Sequence, residues 1–175
     1  MRRRVEAAVF VLIAAAYAVL GLRVLESDAV YSGDIGVKFV QARALAATRF
    51  TSLDIPYPGQ FLDQSRQFFP LRPPFVMATG GETQAIFSPA SAVVQALAVA
   101  FAGIRGMILL SLAAGLVILA AAWRLAEERD GVAVLLSLAI AGPLWFYAIS
   151  GWEHAPAITQ ISKAVVSKCL GCFIA

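Results

Sequence analysis

Charge is what this sequence lacks most. Only 14% of its 175 residues are charged, where a soluble domain averages about 25%. A surface that meets water on every side cannot be built from so little. The 60% hydrophobic content and the mean hydropathy of +0.78 agree. Histidine occurs once, as His154, and cysteine twice, as Cys169 and Cys172. The cysteines form a C-x-x-C pair, but a redox motif would need a βαβ setting and a zinc site two more ligands. Neither is present, so the pair reads as incidental. The net charge is only +3, and no basic run interleaves with aromatics. Nucleic acid is thereby excluded as a partner. The apolar segments carry no internal charges and show no inverted repeat, which counts against a transporter.

What is abundant is apolar sequence in blocks. Residues 7–22, 85–104, 106–123 and 131–149 are nearly free of charge. A bilayer-spanning helix needs roughly 17–25 such residues. Arg2, Arg3 and Arg4 precede the first block, a positive-inside signal that places the N-terminus in the cytoplasm. The alternative is a cleaved signal peptide, because Ala16-Tyr17-Ala18 resembles a cleavage site. Apolar sequence continues to Leu22, which favours an uncleaved anchor. The expectation is a multi-pass protein of the cell membrane with the lipid bilayer as its solvent.

The fold class expected is all-α integral membrane. A first transmembrane helix covers 5–25, and a long outer loop covers 26–84. Residues 85–103 form an interfacial or a transmembrane helix, and further transmembrane helices cover 106–123 and 131–149. Three transmembrane helices plus two interfacial helices in the long first outer loop is one topology; four transmembrane helices is the other.

Within the loop the charges nearly balance, with six acidic residues against Lys38, Arg43, Arg49, Arg66 and Arg72. Six of the eight prolines lie between Pro56 and Pro89. The content of Phe and Tyr is too high for disorder, so the loop reads as ordered. Ser32-Gly33-Asp34 opens a helix running to about Ala47, with Ser32 or Asp34 as its N-cap. Its loose amphipathicity suits a helix lying in the membrane interface. Ser88-Pro89 starts the next helix, with proline at the first position. Gly103-Ile104-Arg105-Gly106 interrupts it, and Gly142-Pro143 loosens the last one. Trp145, Tyr147 and Trp152 suit an interfacial aromatic belt.

The last eighteen residues differ from the rest. Up to Ala157 the chain has one lysine, eleven arginines and no cysteine; beyond it stand Lys163, Lys168, Cys169 and Cys172 and no arginine. Residues 158–175 are therefore an atypical tail, to be explained by truncation, by a frameshift near residue 158, or by local variation.

Four short segments carry a resemblance: Tyr31-Ser-Gly-Asp34-Ile-Gly-Val-Lys38, Phe87-Ser-Pro-Ala, Gly103-Ile-Arg-Gly106 and Gly151-Trp-Glu153-His154. Their order over residues 5–157 resembles the N-terminal part of the GT-C superfamily, the polyprenol-phosphate-sugar-dependent glycosyltransferases. Protein O-mannosyltransferase-like and aminoarabinose-transferase-like enzymes belong to that group. The chain departs from the pattern where Asp34 is followed by Ile35 rather than a second acid. It departs again where Phe87-Ser88-Pro89 replaces a Lys/His-Pro-Pro step. Family members are also several hundred residues long. The resemblance therefore implies a membrane glycosyltransferase present as an inactive N-terminal fragment. The competing expectation is a small non-catalytic membrane protein, a subunit or scaffold.

Transfer of a sugar from a lipid phosphate needs a base for the acceptor's proton and help for the departing phosphate. By resemblance, Asp34 is the catalytic base and Glu153 a second catalytic carboxylate. Asp34 could equally be a helix cap. Lys38, Arg66, Arg72 and His154 are the substrate-binding candidates, although Lys38 could simply pair with Asp34 one turn away. Asp34, Glu153 and His154 could together hold a divalent cation, magnesium or manganese. The partner implied is a polyprenyl-phosphate-linked sugar.

Overall fold

The computed structural model describes residues 2–24, 32–126 and 130–151. These are mostly helical. They form two compact units, one from the described parts of 1–29 and 108–175, the other from those of 30–107.

In the first unit, α1 (Arg2–Val19) continues into a π-helical turn, Leu20–Val24. α3 (Pro89–Leu125) begins in the second unit and ends in the first. α4 (Gly131–Leu136) runs into a π-helical segment, Ser137–Ala141, and α5 (Leu144–Ile149) follows. Arg2–Arg23 and Pro89–Leu125 are long and apolar enough to cross a membrane. The single helix expected over 131–149 is instead two short pieces, split where Gly142 turns extended (φ −102°, ψ 171°) ahead of Pro143. Neither piece reaches the roughly 20 residues of a membrane crossing.

Pro143 explains more than the split. A proline has no N–H, so the carbonyl four residues before it loses its helical donor. That carbonyl belongs to Ala139, and the Tyr17 hydroxyl donates to it at 2.8 Å from α1. Tyr17 is buried, in one cluster with Ile13, Leu112, Leu119, Leu135 and Leu144. At the far end of the unit Glu6 is also buried. Its carboxylate accepts the Trp123 indole N–H at 3.0 Å, and Phe10 stacks on that indole at 5.8 Å. A carboxylate inside an apolar helix is costly unless hydrogen-bonded, and the indole meets that need.

α3 is not one straight rod. Ala102 and Gly103 leave helical geometry, with Gly103 at φ +57°, ψ −141°, a conformation that L side chains avoid. A Cβ on Gly106 would stand 2.0 Å from the Ala98 carbonyl oxygen. In a straight helix those residues lie roughly 12 Å apart along the axis. The chain therefore bends sharply at 102–103, and only glycine at 106 lets the two backbones meet. The interruption expected at 103–106 is present, placed one residue earlier.

The second unit holds α2 (Gly33–Ala47), a hairpin and the first limb of α3. The hairpin is a departure from the all-α expectation: β1 (Val76–Thr79) pairs antiparallel with β2 (Glu82–Ala85). Gly80 and Gly81 join them at φ +62° and +88°, the paired positive φ that a two-residue turn uses to match strand twist. Two strands alone are marginal in water. Here the outer edge of β2 is closed. Asp54 Oδ1 accepts from Thr83 N–H at 2.7 Å, and Ile55 N–H donates to the Thr83 carbonyl at 2.7 Å. Gln41 Oε1 accepts from Ala85 N–H at 2.7 Å. An apolar cluster of Val37, Ile55, Phe69 and Val76 lies beneath, with Tyr57 edge-on to Phe69 at 5.0 Å.

Candidate functional site

α2 positions the first set of candidates. The Ser32 hydroxyl caps it, accepting from Ile35 N–H at 3.4 Å. Asp34 is therefore not the cap; it stands in the first helical turn, half-buried. A carboxylate there is favoured by the free N–H groups and the helix dipole. Further along, Lys38, Gln41, Ala42 and Leu45 share one face at i, i+3, i+4 and i+7, and all four are buried. The loose pattern read from the sequence hid this, because two of the inward residues are polar.

Each inward polar residue has a defined environment. Lys38 Nζ lies 4.1 Å above the Phe87 ring centroid, an attraction worth roughly 0.5–2 kcal/mol. The Gln41 amide donates to the Leu53 carbonyl with one end and accepts from Ala85 with the other. Between α2, the end of β2 and the start of α3 lies a small cleft of about 20 Å³, lined by Lys38, Gln41, Phe87, Ser91 and Gln95 among others. The Ser88 carbonyl accepts the first helical N–H bonds of α3, from Ser91 and Ala92. This places Ser91 and Gln95, one turn apart, on the cleft wall.

The remaining candidates stand elsewhere. Arg66 donates to Thr83 Oγ1 and, at 3.2 Å, to Gln60 Oε1, and Arg72 donates to the Gln67 carbonyl. Both therefore tie the loop to itself. The loop's own organising centre is Asp63. Its Oδ1 accepts from Ser65 Oγ at 3.1 Å and Gln67 N–H at 2.9 Å, and its Oδ2 from Tyr57 Oη at 3.1 Å and Phe68 N–H at 2.7 Å. Desolvation by itself would raise the Asp63 pKa. The four hydrogen bonds outweigh it and hold the carboxyl below its usual range. Desolvation, with the neighbouring carboxylate, pushes the Tyr57 phenol up. Glu153 and His154 lie outside the described residues, as does the C-x-x-C pair. Among the described residues no three His, Cys, Asp or Glu side chains converge on a point, so of the expected cation trio only Asp34 has a described position.

Gln41, Phe87 and Gln95 were not on the list of candidates that the sequence suggested. Gln95 carried a signal nonetheless, as the one side-chain amide within the apolar block 85–104. No protein-family model matches the chain, and no curated protein and no solved structure matches it significantly.

Proposed function

We propose that the chain is a membrane glycosyltransferase of GT-C type, present as its N-terminal region, that binds a polyprenyl-phosphate-linked sugar. One observation carries the reading. Lys38, the end of the segment 31–38, sits over Phe87, the start of the segment 87–90. Two segments quoted for the resemblance, nearly fifty residues apart, thus meet at one small cleft. Asp34 stands one turn before Lys38 and is free of the capping role that Ser32 fills.

In this reading Asp34 takes the acceptor's proton, and Lys38 lends positive charge near the departing phosphate. The N-terminus is cytoplasmic, and residues 26–84 lie on the opposite side of a cell membrane. Phe61, Leu62 and Phe68 are each more than three-quarters exposed. Such apolar surface suits the headgroup region of a bilayer. The resemblance gives Glu153 the part of a second carboxylate and His154 that of a substrate or cation ligand; both lie outside the described residues.

The test is donor binding by the full chain in lipid nanodiscs. Polyprenyl-phosphate-linked mannose and aminoarabinose are titrated with tritium-labelled donor. Saturable binding of one of them, weakened about tenfold by Lys38→Met and retained by Asp34→Asn, is the expected result; tenfold corresponds to about 1.4 kcal/mol. Absence of saturable binding by the wild-type chain would overturn the proposal.

A further inference from the structure

A groove of about 500 Å³ runs along α1 in the first unit. Its floor is the buried trio Ile13, Tyr17 and Ala139, and its rims include the exposed Leu12, Leu20, Ile140 and Trp145. The fold explains the space. Gly142 and Pro143 break the helix that packs beside α1, and the floor beneath the break rises only to the methyl of Ala139. The Tyr17 hydroxyl spends its proton on the Ala139 carbonyl. The rest of the floor is apolar, so what lies along it is hydrocarbon.

The dimensions choose among hydrocarbon guests. Leu12, Ala16 and Leu20 line the groove at i, i+4 and i+8, which makes it roughly 12 Å long at 1.5 Å per residue. Within the candidate span Arg2–Arg23, Leu12 stands near the middle and Leu20 near the C-terminal end. The groove therefore covers most of one leaflet of a hydrocarbon core roughly 30 Å thick, and ends near the midplane. Beyond it, towards the N-terminus, α1 is closed by its own unit: Phe10 stacks on Trp123, and buried Glu6 accepts that indole N–H. A spanning helix from a second copy needs a seat through both leaflets. A lipid tail of one leaflet needs only this one. At roughly 30 Å³ for a group the size of water, the groove holds on the order of sixteen methylenes, one membrane acyl chain.

The polar groups at the end of the groove fit the rest of such a lipid. Tyr17 is level with Ala139, and a Cβ on Gly21 would stand 3.4 Å from the Ile149 carbonyl oxygen. Trp145 therefore lies beside the Leu20 end. Its indole brings an N–H donor to the apolar rim, as interfacial tryptophans do. Exposed Arg23 follows about one turn after Leu20. We propose that this groove seats one acyl chain of a bilayer phospholipid, with the Trp145 N–H at the ester carbonyl and Arg23 at the phosphate. The inference rests on the membrane-spanning part of the reading above and not on sugar transfer. A polyprenyl phosphate fits less well, because no carbonyl separates its long tail from its phosphate.

The experiment is native mass spectrometry of the full chain in detergent. Dipalmitoyl phosphatidylglycerol, its ether-linked analogue of equal tail length and undecaprenyl phosphate are titrated separately. The expected result is one saturable phosphatidylglycerol per chain. Its binding is at least about tenfold weaker in Ala16→Phe, whose ring fills the groove from an exposed position. The ether analogue lacks the carbonyl and binds the wild-type chain about fivefold more weakly, the loss expected for one hydrogen bond. Trp145→Phe binds the two phospholipids alike. No saturable adduct on the wild-type chain, or equal binding by Ala16→Phe, would overturn the groove as the seat. Tighter binding of undecaprenyl phosphate would overturn the lipid class, and a dimer dispersed by Ala16→Phe would give the groove to a second copy instead. The comparison of ester, ether and polyprenyl lipids is read on the wild-type chain, so it stands even if a variant fails to fold. It is also separate from sugar-donor binding, which can fail while phospholipid binding holds.

Discussion

Replacing Gln41 by methionine isolates the bridge on which the 30–107 unit turns. Methionine matches glutamine in length and buries well, so little packing is lost. What disappears is the pair of bonds to the Leu53 carbonyl and the Ala85 N–H. Gln41 is 4% exposed, so water does not simply replace it. Each orphaned backbone group costs roughly 1–3 kcal/mol. Part of that is recovered because the glutamine amide itself no longer has to be desolvated. A net loss of about 2–4 kcal/mol follows, and it falls on the outer edge of β2, where Ala85 has no second acceptor on that side. Hydrogen exchange read by mass spectrometry on the full chain measures it directly. At about 1.4 kcal/mol per tenfold, protection of the Ala85 amide should fall at least about 30-fold. Amides of α1, in the other unit, should keep their rates. Unchanged protection at Ala85 in Gln41→Met would refute the bridge and with it the account of how so small a hairpin persists.

Two further outcomes are expected. Tyr17→Phe removes the hydroxyl that donates to the Ala139 carbonyl ahead of Pro143; a loss of about 1 kcal/mol, within the range seen for hydrogen bonds in water and in membranes, should lower the midpoint of detergent unfolding, and an unshifted midpoint would mean that the carbonyl finds another partner. Asp63 has a folded-state pKa below its ordinary 3.8. Its carboxylate therefore contributes stability that is fully present above the unfolded-state value and is lost as pH falls through the lower folded value. Pepsin cleavage beside the exposed Phe61 and Leu62, normalised to a peptide substrate, should accelerate over that acid window. In Asp63→Asn the rate should be fast and independent of pH; parallel profiles for the two proteins would show that Asp63 does not hold the turn.

How much of this was legible in the sequence depends on whether a residue's neighbours were close along the chain. α1 and α2 were readable because apolar runs and a Ser-Gly-Asp start are local signals. The bend near 103 was readable because glycine punctuates a helix. Gly142-Pro143 announced a loosened helix, and a rule as simple as counting back four residues identifies Ala139 as the carbonyl left without a donor. That Tyr17 supplies the donor, from 122 residues away, no local rule can say. The hairpin had one signal, Gly80-Gly81, but its strands are four residues each and do not alternate cleanly, so the turn was not read as a turn.

The inward face of α2 shows the deeper reason. A polar group inside a fold is costly unless it is paired, so the sequence alone gives no reason to turn Lys38 or Gln41 inward. Lys38 and Gln41 are inside because they are paired there, with Phe87, Leu53 and Ala85. Those partners become visible only after the chain has folded back on itself. The same logic applies in reverse to Gln95. Gln95 stands in an apolar block and was not among the sequence candidates, yet the fold buries it with its Oε1 accepting no hydrogen bond from the described residues. A polar residue that the fold buries and satisfies is structural. One left unsatisfied among the described residues, as Gln95 Oε1 is, costs stability instead, and nothing in the local pattern of its apolar block forecasts that.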